Sequence, residues 1–220
     1  HTLPMKCSSQ SDVSREPDVS QRSDVSRESG SSLVRRPLAD LPRLPGLDCS
    51  GYARPAPDAA ACYALWDKYD MLPNIRRHSL LVAHIAVRLA TRAKELGFAV
   101  KIPEVRAGGL LHDIAKTYCV RHGGSHAQIG AAWTVAETGN YAVAQGVMLH
   151  VWWPWDLPAG RDICALPFFV MYADKRVRHD ACVSIEERYE DLRARYGVSE
   201  AAREGIGAAF RQGKNIESAL

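Results

Sequence analysis

The stretch Gly109-Leu110-Leu111-His112-Asp113-Ile114-Ala115-Lys116 sets a histidine and an aspartate inside an apolar helical segment. Pro103 suits the first turn of that helix, and the pattern runs from it through Leu110, Leu111 and Ile114. Those residues bury the segment, yet an imidazole and a carboxylate are costly to bury without partners. A metal ion supplies the missing partner to both. One nitrogen donor beside one oxygen donor suits a divalent Mn, Fe, Co, Ni or Zn ion. The six cysteines are scattered and contain no C-x-x-C pair, so neither a thiolate site nor a thioredoxin-like motif is indicated, and free thiols in a reducing compartment are expected.

Working outward, a long helix follows Pro73, with Ile75, Val82, Ile85 and Leu89 as its apolar stripe and Gly97 just past its end. His78 shares the face of Val82, Ile85 and Leu89, because offsets of four, seven and eleven residues return to nearly one direction. It therefore points inward. An inward histidine standing alone is most often a hydrogen-bonded core residue, but His112 and Asp113 make it a candidate ligand. His84 lies about a third of a turn off that face and reads as surface. Pro167 opens a later helix that carries Asp174.

The remaining helices have recognisable ends. Asp58 caps a short helix through about Tyr69, Ser125 and Gln128 form a capping box for a helix ending at Gly139, and Asn140 caps the helix bearing Val143, Val147 and His150. Ser184 and Glu187 form a second box for a helix stopping at Gly197, and Ser199 begins a last helix reaching about Gly213. No alternating strand pattern competes, so the fold class is all-α, a helical bundle over 58–213.

Residues 1–55 read differently. A Ser-rich tract repeats Asp-Val-Ser at Asp12, Asp18 and Asp24, and Pro37, Pro42, Pro45, Pro55 and Pro57 discourage helix after it. This segment is expected to be a disordered extension and linker. His1 in front of Met5 leaves the natural start open. With 46% hydrophobic and 24% charged residues the body is of ordinary globular composition, which excludes general disorder. No apolar run approaches the ~20 residues of a membrane span, and no signal-peptide pattern opens the chain, so a cytoplasmic protein is the expectation. A net charge of +3 is too mild to argue for nucleic acid.

His78, then Leu-Leu-His112-Asp113-Ile-Ala-Lys116, then Tyr172-Ala-Asp174-Lys resembles the HD superfamily of metal-dependent phosphohydrolases over roughly residues 72 to 178. It is closest in pattern to the HDIG type, with Ala115 where that subgroup's glycine would follow Ile114. The resemblance implies that His78, His112, Asp113 and Asp174 ligate one divalent metal within a bundle of helices. The order of His126 and His150 between them resembles the extended pattern with two metals, in which Asp113 bridges. The same two histidines are otherwise an exposed helix-start residue and a helix C-terminal residue.

The resemblance further implies a hydrolase for a phosphomonoester or phosphoanhydride, with a nucleotide as the expected substrate class and a metal-activated water in place of a protein nucleophile. Asp113 and Lys116 are then the catalytic residues. Lys116, Arg121, His122 and Lys175 are candidates for phosphate contacts. Two other readings stay open: a di-iron oxygenase of the same fold, and a non-catalytic nucleotide-binding module. Trp152, Trp153 and Trp155 are expected to pack against the bundle, the alternative being a wall for a base. Homo-oligomerisation through the amphipathic tail helices stays open.

Overall fold

The structure, a computed structural model, describes residues 54–220, so the expected disordered extension and linker at 1–55 lies almost wholly outside the described residues. Among the described residues the chain is helical: α1 (Ala59–Lys68), α2 (Pro73–Glu95), α3 (Ile102–Leu111), α4 (Lys116–His122), α5 (His126–Thr138), α6 (Tyr141–Leu149), α7 (Leu166–Lys175), α8 (Ile185–Tyr196) and α9 (Glu200–Ala219). A 3-10 turn, Gly160–Ile163, precedes α7, and a ribbon of two-residue strands, β1 (Val177–Arg178) and β2 (Ala181–Cys182), follows it. None of these helices is long and apolar enough to cross a membrane.

Local chemistry sets the ends. The side chains of Asp58, Ser125, Asn140 and Ser199 each accept a first-turn backbone N–H; of the two expected capping boxes, Ser184 and Glu187 complete theirs reciprocally, while at α5 the Ser125 half is the one formed. Gly139 stops α5 at φ 63°, where a Cβ would be strained.

Three clusters of buried residues make the core. One joins α1, α3 and α6 through Trp66, Leu110, Leu111, Val143 and Val147. A second joins α2, α3 and α7 through Val82, Ala86, Val105, Phe169 and Val170. The third joins α7, α8 and α9 through Phe168, Met171, Ile185, Tyr189 and Ile216. Burying each large side chain is worth about 1.5–3 kcal/mol, which fixes α7 between the second and third clusters.

Four details differ from the sequence expectation. On α2 the buried face runs through Ile75, Val82, Ala83, Ala86, Ala90 and Ala93, while Ile85 and Leu89 are only half-buried. Small residues win that face because α3 lies very close. The helix expected through Ile114 stops at Leu111, where Ile114 N–H bonds Leu111 O and Lys116 N–H bonds Asp113 O, both i to i+3 contacts that turn the chain into the separate helix α4. The ribbon was not legible because strands of two residues carry no alternation; its turn residues His179 and Asp180 join Arg178 to Ala181, with His179 at φ 59°. Finally, α9 continues past Gly213 to Ala219, since Gly213 packs on Lys175 and Ile216 is buried.

A Cβ on Gly109 would sit 2.6 Å from the Ala83 Cα, whereas one on Gly205, within α9, would meet nothing within 4 Å. Gly109→Ala should therefore lower stability in urea unfolding by about 1–3 kcal/mol. Gly205→Ala should raise it by about 0.5–1 kcal/mol.

Candidate metal centre

The turn between α3 and α4 is what lets two consecutive residues face one point. In a regular helix neighbouring side chains diverge by about 100°, but the chain leaves helical bonding at Leu111 and His112 is the C-cap. His112 and Asp113 are both buried there, at 0% and 1% exposure. His78 arrives from α2, Asp174 from α7, His126 from the first turn of α5 and His150 from the C-cap of α6.

All six meet around the Asp113 carboxylate. Its Oδ2 lies 3.5 Å from His112 Nε2, 3.8 Å from His78 Nε2 and 2.9 Å from Lys116 Nζ. Its Oδ1 lies 3.3 Å from His126 Nε2 and 3.8 Å from His150 Nε2. Asp174 Oδ1 closes the first group at 3.0 Å from His78 Nε2 and 3.8 Å from His112 Nε2. The carboxylate of Asp113 thus stands between two sets of imidazoles.

Each of three rings is fixed by its other nitrogen. His112 Nδ1 faces Gly109 O at 2.8 Å, His150 Nδ1 faces Val147 O at 2.6 Å, and His78 Nδ1 faces His179 O at 3.1 Å. A carbonyl only accepts, so each Nδ1 carries the proton and donates; this leaves the Nε2 lone pairs of His112 and His150 turned toward the aspartates, whereas His78 Nε2 lies at hydrogen-bond distance from Asp174 Oδ1, 3.0 Å, and donates to it when the ring is protonated. His112 and His150 are set alike, each a C-cap residue bonded to the carbonyl three positions back. Sequence reasoning did not single out Gly109, Val147 or His179 for this role. The i−3 spacing at two helix ends is the signal for the first two; nothing in the sequence signals the third.

His112 Nε2 and Asp113 Oδ1 are buried without a hydrogen-bond partner. Such atoms cost about 1–3 kcal/mol each unless something satisfies them. A divalent cation does so, and donors held about 2.0–2.2 Å from a common ion are separated by roughly 3.0–3.5 Å, within the spread seen between these side chains. Two triads, His78 with His112 and Asp174, and His112 with Asp113 and His150, bring their donor atoms within 4.8 Å of one another. The residues present fit a divalent metal.

The electrostatics follow from burial and charge. Burial alone would raise the Asp113 carboxyl, but the Lys116 ammonium and the surrounding imidazoles outweigh it and hold the group well below the usual range. Asp174 is likewise held low by His78 against its burial. Burial drives His112 down and takes His150 down to about 3, whereas His78 is raised because Asp174 overcomes its desolvation.

Of the residues expected to touch phosphate, only Lys116 stands at the cluster. Arg121 pairs with Asp70 at 3.1 Å, and His122 is exposed beside the Tyr118 ring. Lys175 is 4% exposed and donates to Val151 O at 3.2 Å, its ammonium pushed down to about 8 by burial. Beyond His150, Trp153 packs on Phe168, but Trp152 and Trp155 are exposed, so the expected packing holds for one of the three.

Residues 75–178 match the family model of the HD domain, and they form an HD domain. All six clustered residues fall inside that span. An uncharacterized protein of Methanocaldococcus jannaschii is 41% identical over 58 residues, covering 26% of this chain. The chain spans about a third (33%) of that relative's length. No solved structure matches.

Two outcomes are expected. A proline at 179 cannot adopt φ 59° and withdraws the carbonyl from His78, whereas glycine prefers that conformation and keeps it. His179→Pro should weaken Mn²⁺ binding about 10–100-fold in titration calorimetry, with His179→Gly near wild type. The second concerns pH. His150 binds its proton more weakly folded, at about 3, than unfolded, at about 6.5, so its contribution to stability is present above 6.5 and is lost as pH falls toward 3. Between pH 7 and 5, metal-free protein should lose about 2 kcal/mol from this group, and His150→Gln should flatten the slope of urea midpoint against pH accordingly.

Proposed function

We propose that this chain, whose residues 75–178 are an HD domain, is a metal-dependent phosphohydrolase acting on a phosphomonoester or phosphoanhydride, with a nucleotide as the favoured substrate class. The observation that supports it is the convergence of four imidazoles and two ionised carboxylates around two buried atoms, His112 Nε2 and Asp113 Oδ1, that no protein hydrogen bond satisfies, with a lysine ammonium beside them.

His78, His112, Asp113 and Asp174 would hold one divalent ion, and His126 and His150 with Asp113 a second. When bound, such ions lower the pKa of a water to near neutrality and polarise a phosphoryl oxygen, as Mn, Fe, Co, Ni or Zn can do.

The chain's own groups divide the remaining work by depth. His112, Asp113 and His150 form a closed floor, with side chains 0–2% exposed, while Asp174, His126 and Lys116 form the open side at 20%, 28% and 40%. A small phosphorylated substrate therefore approaches from the Lys116 side. Lys116 keeps its proton, because the neighbouring aspartates more than offset its desolvation, and its Nζ can donate to a phosphoryl oxygen. The Nδ1–H bonds to backbone carbonyls hold the rings in place, so little reorganisation is needed as substrate binds. Arg121, His122 and Lys175 would reach a phosphate only by leaving the partners they have here.

Protein loaded with Mn²⁺, Co²⁺ or Fe²⁺ should release phosphate from members of a panel of nucleotides and phosphomonoesters, and Asp113→Ala should fall to background. Oxygen uptake by iron-loaded protein with no phosphate release would overturn the proposal in favour of an oxygenase.

A further inference from the structure

A metal-binding side chain at the end of a helix is only as well placed as the chain that follows it. We propose that Gln212 on α9 is a positioning residue of the metal centre, which holds the segment after His150 so that this imidazole stays on the ion shared with His126 and Asp113; this rests on the two-ion reading above.

His150 needs such a hold. It is the C-cap of α6, with its Nδ1 on Val147 O at 2.6 Å. Beyond it the chain is irregular as far as the 3-10 turn that starts at Gly160. A helix end leaves its last carbonyls without partners inside the helix and frays unless something outside secures it. A fraying last turn would break the bond to Val147 and carry the ring away from Asp113.

The hold comes from two other helices. Lys175 of α7 donates to Val151 O at 3.2 Å. Gln212 of α9 takes both backbone groups of Trp153: its Oε1 accepts the Trp153 N–H at 3.1 Å, and its Nε2 donates to Trp153 O at 2.8 Å. Two bonds from one planar amide fix direction as well as place. The Trp153 ring then packs on Phe168 of α7, with centroids 4.9 Å apart. The chain is thus tied at the first and third residues past the ligand.

The chemistry of Gln212 speaks for this role. Glutamines are mostly exposed, but this one is 8% exposed, on a face whose other buried residues are Gly213 and Ile216. An apolar side chain would serve packing alone. A buried amide costs free energy unless both ends are paired, and Trp153 pairs both. The neighbouring Gly213 serves the other tie: a Cβ there would sit 3.1 Å from Lys175 Cδ, so the glycine leaves the lysine stem its path to Val151. Consecutive residues of α9 therefore support both holds. The matched family segment ends at residue 178, so this part of the frame lies outside it.

The test uses the full chain. Lys175 adjoins Asp174, so the substitution is made at Gln212, where Gln212→Met keeps length and volume and removes the amide. In metal-free protein with isotope-labelled histidine, NMR follows the Nδ1–H protons of His150 and of His112, which is set alike in the turn after α3. Solvent exchange of the His150 proton should quicken about 10-fold or more in Gln212→Met, with His112 unchanged within about 2-fold. Calorimetry with Mn²⁺ should show two binding steps in wild type, one of them weakened about 10–100-fold by Gln212→Met and the other unchanged within about 2-fold. Gly213→Ala, which keeps the amide and crowds Lys175, should move the same proton and the same step in the same direction. The inference is overturned if the two protons quicken together or both Mn²⁺ steps weaken alike, which would make Gln212 a general packing residue, or if neither proton responds. Should Gln212→Met fail to fold, Gly213→Ala decides by the same two protons. Wild-type protein that binds a single Mn²⁺ would sink the two-ion reading, whereas proton exchange, read without metal, still decides the role of Gln212.

Discussion

The rest of the site depends on one buried carboxylate that protein groups satisfy on one side only. Asp113 receives the Lys116 ammonium at Oδ2, while Oδ1 has imidazoles near it and no hydrogen bond. Left alone, that arrangement would be unstable. It is held because three of the four imidazoles are tied by the far nitrogen to a carbonyl that is itself fixed: Gly109 and Val147 at helix ends, His179 in a tight turn. Those three rings cannot turn away to find other partners. The fold therefore supplies rigidity, and the donor set supplies the demand for a cation.

The closeness of α2 and α3 belongs to the same device. Gly109 lies against Ala83, and its carbonyl holds His112. A larger residue at either position would push apart the helices that bring His78 and His112 together, whose ring centroids are 5.3 Å apart. Trp66 adds a lock from α1, its indole N–H donating to Leu110 O at 2.9 Å, which satisfies one of the carbonyls that a helix end leaves open.

Much of this was legible in the residues, for different reasons. The cost of burying His112 and Asp113 in an apolar run pointed to a metal, and helical periodicity placed His78 on an inner face. Asp174, His126 and His150 carry no such physical signal, and it took likeness to the HD pattern to single them out. The break at Leu111 escaped because Ile114, Ala115 and Lys116 all suit a continued helix. Lys175 was a candidate for phosphate contact, but α7 is packed on nearly every side, so the residue after Asp174 is buried too.

The burial of α7 has a consequence for how the molecule comes apart. Phe169 and Val170 belong to one core cluster, Phe168 and Met171 to another, so this helix cannot detach without opening both. Its amides belong with the slowest class in hydrogen exchange, released by global unfolding, whereas frayed ends and surface turns open locally at much lower cost. Asp174 is therefore carried by the most persistent element of the fold, and the site and the tertiary structure should be gained and lost as one cooperative unit.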